Sequence, residues 1–262
     1  AFVNRMSAEM SPATVRGRFA PLQMALTNAL ELRVIRDSPL LGVRLPAVTS
    51  SSRETWGAEQ VRRFIAGTTT HPLGSALVIS VMLGVRIGEL TALRWPDVDL
   101  ERATLSISRT LARRRGGGME VAETPKSAHG RRKLLLPHQC VDALQRRQRE
   151  QSADRMALGT LWSDDDAVYG KHDGSYRYSN SALQRAFYAV SEHCDLPRIR
   201  PHDMRHTAAT NMIWAGVPIP TVSRILGHSS PAITMRVYAH VIAQMEAEAV
   251  QTIEAFYGAA DT

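Results

Sequence analysis

Six residues could do chemistry together, met along the chain in the order Arg86, Lys126, His202, Arg205, His228 and Tyr238. They supply two guanidinium forks, an ammonium, two imidazoles and one phenol. Forks and ammonium groups grip phosphate oxygens and offset their charge. Imidazoles move protons near neutral pH. A phenol has an ordinary pKa near ~10 and becomes a nucleophile when cations or a proton acceptor sit beside it. The inventory suits a tyrosine attacking a phosphodiester.

Each block also has an ordinary reading when taken alone. In LGVRIGELTALRW (83–95), Arg86 falls at a helix start beside Gly84, where phosphate meets the helix dipole, with Glu89 one turn on to hold the guanidinium. The plain alternative is an exposed ion pair worth a few tenths of a kcal/mol. In ETPKSAHGRRKLLLP (123–137), Lys126 at a turn tip can reach a leaving oxygen, or is one residue of a solvated loop. Arg131, Arg132 and Lys133 suit sequence-independent contacts to a nucleic-acid backbone. In PHDMRHTAAT (201–210), His202 and His206 have the spacing of a zinc pair. Asp203, however, is a methylene shorter than the glutamate which that motif needs as its base, and Arg205 would set a cation beside the metal. In LGHSSPAITMRVYAH (226–240), Gly227 caps one helix and Ser230-Pro231 starts another, which aims Tyr238 toward whatever His228 faces. A tyrosine on such a helix is otherwise core or surface.

The elements that must hold these residues are mostly helical. The 262 residues allow one large domain or two smaller ones, and 44% hydrophobic and 22% charged residues are those of a globular chain. No apolar run reaches the ~18 residues of a membrane span. Two cysteines, Cys140 and Cys194, are too few for a disulfide framework and point to a reducing cytoplasm. A net charge of +7, with only three lysines, is carried by arginine and favours a polyanionic partner. The opening AFVNRMSAEM has neither a signal-peptide plan nor an initiator Met, which reads as a fragment or a processed product. Ser11-Pro12 starts a helical pattern that runs to Ser38-Pro39, with Pro21 expected to kink or split it. Residues 1–46 are too few for their own core and read as the end of a helical domain, followed by a linker over 47–54. A second domain, 55–262, opens with Thr55 as N-cap and Glu59 near the helix start. Its helical patterns cover about 57–67, 73–84, 86–94, 138–151, 180–193, 203–215, 219–226, 231–237 and 240–257. Strands are expected at 104–108, 120–124 and 133–136, with a turn over 113–118. The fold class is mainly α with a small three-stranded antiparallel β-sheet.

In this order and spacing the blocks resemble the tyrosine recombinase (phage integrase) family, which includes Xer-type and Cre-type recombinases. The likeness covers about 55–257. Leu83-Gly84-Val85-Arg86-Ile87-Gly88-Glu89-Leu90 is similar to the family's first box, with Leu83 for the usual Thr or Ser. Lys126-Ser127 through Arg132 and Leu134 is similar to its β-hairpin lysine box. His202-Asp203-Met204-Arg205-His206 is similar to H-x-L-R-H, and Leu226-Gly227-His228-Ser229 with Tyr238 to its closing box. Ala29–Pro39 faintly resembles the end of the family's core-binding domain.

The resemblance implies an integrase-type catalytic domain that cuts and rejoins DNA through a 3′-phosphotyrosyl link, with neither metal nor ATP. Arg86 and Arg205 would grip the phosphate, Lys126 would be the general acid, and His202 would assist proton movement. His228 would hydrogen-bond phosphate, Tyr238 would attack, Glu89 would brace and His206 would be structural. It also implies double-stranded DNA as partner and a homo-oligomer on DNA, a tetrameric synapse joined through the helix at 240–257. Many members of the family carry an arm-site-binding domain at the N-terminus; without one, weakened core-site binding and absent or poor full recombination are expected of this fragment. A tyrosine-dependent resolvase or type IB topoisomerase-like enzyme, and a non-catalytic DNA-binding module, are the alternatives.

Overall fold

The computed structural model describes residues 2–47, 54–114, 117–123, 131–162, 166–171 and 178–258. It divides into two compact units, Ala1–Ser52 and Arg53–Thr262.

The first unit holds α1 (Phe2–Glu9), which the sequence patterns did not announce, and α2 (Pro12–Glu31). Ser11 caps α2, its hydroxyl accepting from the Thr14 amide at 3.3 Å, and Pro12 takes the first turn, where its missing N–H is harmless. Pro21 lies inside α2 and does not split it: of the kink or split expected there, the split does not occur. Nor does the helix reach Ser38: it ends at Glu31, and Arg33 takes a left-handed φ of 56°.

In the second unit α3 (Ala58–Gly67) leads into α4 (Gly74–Leu83). The expected Thr55 cap is replaced by Gly57, whose amide donates to Gln60 Oε1 at 2.9 Å. Helix α4, GSALVISVML, is apolar on nearly every side and buried along its length, so it forms the axis of the core. Against it pack α6 (His138–Leu158), α7 (Asn180–His193) and α8 (Asp203–Trp214). Trp56, Phe64 and Phe187 close one end of this core, with Trp56 and Phe64 ring centres 4.9 Å apart. The short α5 (Ile87–Thr91) follows α4 and ends earlier than its pattern suggested.

The β-structure differs from the expected hairpin in its pairing. Strands β1 (Val98–Asp99), β2 (Thr104–Ile107), β3 (Arg109–Arg113), β4 (Met119–Glu123) and β5 (Arg132–Leu135) form two sheets. A three-stranded antiparallel sheet has the order β1-β2-β5, with Leu105 opposite Leu134 and Ile107 opposite Arg132. The hairpin β3-β4 is separate. The expected strand at 104–108 is thus the first of two, and its partner is the stretch at 132–135 rather than the one at 119–123. Side chains alternate across a strand, so Arg132 and Leu134 turn inward from β5 while Lys133 and Leu135 turn out.

The chain ends in α9 (Ile219–Leu226), α10 (Pro231–Val237) and α11 (Ala239–Gly258). Ala209, Ile213, Val222, Leu226, Tyr238 and Val241 make a second, smaller core that ties them to α8. No described helix is long and apolar enough to cross a membrane.

Candidate active site

The turn from α4 into α5 is the foundation of the site. Gly84 ends α4 at a φ of 65°, a conformation that favours glycine. Glycine is needed there for space as well: a Cβ would stand 2.6 Å from Leu226 Cδ2 and 3.3 Å from Arg205 Cγ. Into that space comes Arg205 from α8, whose Nη1 donates to the Gly84 carbonyl at 2.7 Å.

Arg86 sits at the N-cap position of α5, and Glu89 in the first turn folds back onto it. Glu89 Oε2 accepts from the Arg86 amide and Oε1 from Arg86 Nη1, each at 3.0 Å. The same carboxylate accepts two bonds from Arg132, from Nη1 at 3.0 Å and Nη2 at 2.8 Å. Arg132 Nε donates to the Ile225 carbonyl at 2.9 Å, near the end of α9. One buried carboxylate thereby couples α5, β5 and α9. The Arg132 and Glu89 side chains are 4% and 2% exposed, whereas Arg86 is 45% exposed and presents its free edge to solvent.

These contacts set the charge states. Burial alone would raise the Glu89 pKa; the hydrogen bonds and charge of Arg132, with those of Arg86, outweigh it and hold the carboxyl below its ordinary value. Burial presses the pKa of Arg205 down to about 9, and the like charges of Arg86 and Arg132 push the same way, while Glu89 and Tyr238 favour its charge. Arg205 Nη2 is buried with no hydrogen-bond partner among the described residues. Three guanidinium groups thus lean on one carboxylate, and a phosphate oxygen would supply both the missing charge and the missing acceptor.

The other half of the site comes from the chain end. Gly227, at φ 69°, reverses the chain after α9, and the His228 amide donates to the Ser223 carbonyl at 3.0 Å. His228 Nδ1 lies 2.8 Å from the Thr234 hydroxyl of α10. Burial lowers the His228 pKa to about 4, helped by Arg205, Arg86, His206 and Arg132, so the ring is neutral at pH 7. Tyr238 closes α10 and is 2% exposed. Its hydroxyl lies 3.0 Å from His206 Nδ1, and the His206 ring in turn meets His202 edge-on, 5.8 Å between centres. His202 is exposed at the start of α8.

The structure therefore brings Arg86, Glu89, Arg205, His228 and Tyr238 into one charged neighbourhood, with His202 at its rim. Lys126 lies outside the described residues. Arg131 pairs with Glu123 at the surface, and Lys133 is exposed on the outer face of β5. Arg132 needs correcting: expected as a DNA-backbone contact, it is buried and committed to Glu89 and Ile225. Strand alternation carried the signal, since Arg132 shares its face with the apolar Leu134. Thr234, the partner of His228, was not singled out from the sequence at all.

A model of the phage integrase family matches residues 56–245. A XerC-like tyrosine recombinase of Caldanaerobacter subterraneus is 27% identical over 210 residues, covering 76% of this chain and 54% of that protein, so the match spans about half of the relative's length. An integrase of Saccharopolyspora erythraea is 24% identical across 98% of this chain and 70% of its own. Among solved structures, the integrase of transposon Tn1549 in complex with transposon right-end DNA superposes with a TM-score of 0.75 at 25% identity, covering 94% of this chain and 83% of that one. A lambda integrase dimer bound to a core site gives a TM-score of 0.57 at 16% identity over 88% and 77% of the two chains.

Proposed function

The chain belongs to the phage integrase family, and from that premise we propose that it cuts and rejoins double-stranded DNA at a specific site through a covalent link to Tyr238. One observation carries the reading. The Tyr238 hydroxyl lies 3.0 Å from His206 on α8, the helix that also sends Arg205 to the Gly84 carbonyl, beside an arginine cluster that holds one carboxylate against three cations.

In the proposed reaction Arg86 and Arg205 bind the non-bridging oxygens and offset charge as the phosphorane forms; losing either slows cleavage by ~10²–10³. Neutral His228, with its proton on Nε2, donates to a phosphate oxygen while Thr234 holds its other nitrogen. Tyr238 attacks phosphorus, leaving a 3′-phosphotyrosyl link and a free 5′-hydroxyl, and a partner strand's 5′-hydroxyl later reverses the step. Phosphodiester energy is kept, so neither ATP nor a metal is needed. Lys126 protonates the leaving 5′-oxygen and His202 assists at the rim. Lys133 and Arg131 meet the DNA backbone.

Two further parts belong to the proposal. Residues 1–46 belong to a core-binding domain, and a second copy of the chain on DNA receives the end of α11. The first turns of α11 pack at home through Val241, Ile242 and Met245, whereas Val250, Ile253, Phe256 and Tyr257 are exposed. Removing residues 248–262 therefore spares the domain's own core. Light scattering on DNA should show the truncated chain failing to assemble beyond what one copy per half-site gives; an unchanged assembly defeats the docking.

The catalytic proposal is tested with a duplex nicked beside the scissile bond, so that the short cleaved strand diffuses away and traps the adduct. Wild-type chain should form a denaturation-resistant protein–DNA band, and Tyr238→Phe should form none while still shifting the duplex in a native gel. An adduct persisting in the phenylalanine variant refutes the assignment.

A further inference from the structure

We infer that His206 is the proton acceptor for Tyr238, a catalytic role beyond those given above, which rests on the reading of Tyr238 as nucleophile. His206 Nδ1 stands 3.0 Å from the Tyr238 oxygen, within hydrogen-bond reach of the atom that would bond to phosphorus. The contact is made by fold and not by neighbourhood in sequence. His206 comes from the first half of α8, and Tyr238 from the junction of α10 and α11, which packs on α8 through the smaller core. The phenol is buried away from bulk water, and a ring nitrogen of His206 is within hydrogen-bond reach of it.

Placement of charge around His206 suits the transfer. Asp203, one turn earlier on α8, is only 4% exposed, and burial alone would raise its pKa. Its hydrogen bonds and ion pair with Arg200, and the nearby His206, hold it below its ordinary value, so a carboxylate stands ready to favour an imidazolium. Arg205 opposes that charge, His228 is neutral and does not, and the Tyr238 phenolate favours it at the moment of attack. His202, exposed and edge-on to His206 at 5.8 Å between ring centres, marks the way from the buried phenol toward solvent. Among the described residues, the titratable and charged groups facing His206 include Asp203 and Arg205 on its own helix, His202 at that helix's N-cap, and Tyr238 and His228 from the chain end.

The step balances without any added reactant. His206 carries its hydrogen on Nε2, leaving the Nδ1 lone pair toward the phenol. The Tyr238 O–H bond breaks, its proton passes to Nδ1, the phenolic oxygen bonds to phosphorus, and the 5′-oxygen departs with a proton from the general acid. On rejoining, the imidazolium returns its proton to the departing Tyr238 oxygen.

The test is single-turnover adduct formation by the full 262-residue chain on the nicked duplex, followed from pH 5.5 to 9. We expect His206→Ala and His206→Asn both to slow cleavage by about 10²-fold near neutral pH, the low end for general base catalysis, with native-gel DNA binding retained. The wild-type rate should level off with rising pH once the imidazole is neutral, whereas the variants should keep rising as the phenol itself ionises. A substrate with sulfur in place of the bridging 5′-oxygen, whose thiolate leaves without a proton, should not rescue them. Asparagine can still hydrogen-bond the phenol, so wild-type cleavage by His206→Asn would mean the residue only positions Tyr238 and would overturn the inference. Sulfur rescue, or a wild-type pH profile in both variants, would do the same. A wild-type chain that forms no adduct fells the recombinase reading and this role with it; an adduct lost in Tyr238→Phe but unaffected in the His206 variants fells this role alone.

Discussion

The two faces of β5 use the same kind of side chain in opposite ways. Its inner face carries Arg132, buried and bound through all three guanidinium nitrogens. Its outer face carries Lys133, in solvent, with Arg131 just before the strand held by a surface carboxylate. Charge–charge attraction is several-fold stronger away from water than at the surface. Inside, a cation therefore fixes geometry: Arg132 pins Glu89, and Glu89 holds Arg86 by backbone and side chain together. Outside, a cation contributes little to the folded state until a polyanion arrives.

The largest test of that contrast is stability. Arg132→Met keeps the stem and removes the fork, leaving the buried Glu89 carboxylate with Arg86 alone. Breaking a buried pair this way should cost about 3 kcal/mol, against under ~0.5 kcal/mol for Arg131→Met at the surface. Urea unfolding of the two variants measures both; similar losses would mean the inner face is not special.

Next in size is the turn that seats Arg205. Gly84→Ala meets both a left-handed backbone and a crowded Cβ, whereas Gly216→Ala, at φ 77° with nothing within 4 Å, meets only the backbone penalty. Gly84→Ala should destabilise by about 2 kcal/mol more than Gly216→Ala, the size of an overpacked core position. It should also slow adduct formation, since the Arg205 stem has to give way. Equal unfolding midpoints would show that Arg205 is not seated by this turn.

A smaller effect separates the outer cations. Lys133→Ala should leave unfolding unchanged, weaken binding to any duplex alike, and reduce the slope of log affinity against log salt by about 1. Salt titrations on specific and random duplexes decide it; an unchanged slope takes Lys133 off the DNA surface.

What the sequence disclosed follows the same division. Residue types only nominated Arg86, Arg205, His228 and Tyr238, each with an ordinary reading beside it; their shared order, through its resemblance to a family's boxes, gathered them. Helices with strong apolar periodicity, such as the one expected at 219–226 and observed as Ile219–Leu226, were legible to the residue. Strand pairing was not: β2 finds β5 across more than twenty residues, and only the assembled core chooses between that partner and the nearer β4. Arg132 was misread because a run of three cations looks like a surface patch, although alternation placed its middle member inward. The reach of His206 to Tyr238 had no local signal, since it depends on how α8 meets the α10–α11 junction.

The smallest effect tests the buried half of the site by acid. The pKa of His228 falls from the ordinary 6.5 to about 4 on folding, through burial first and then through Arg205, Arg86, His206 and Arg132. Between those two values the unfolded chain holds a proton that the folded chain does not. Stability from this group therefore rises with pH across the window and is lost as pH falls through it. His228→Gln, which cannot titrate, should show a shallower fall in Tm from pH 6.5 to 4 than wild type, the remaining slope belonging to carboxylates such as Glu89. A phosphate beside His228 supplies the opposite charge and raises its pKa, so duplex binding near pH 5.5 should take up protons in wild type and fewer in the variant. Calorimetry in buffers of different ionisation enthalpy counts them. Equal uptake by both chains, or parallel Tm curves, would place His228 away from the arginines and away from the phosphate they hold.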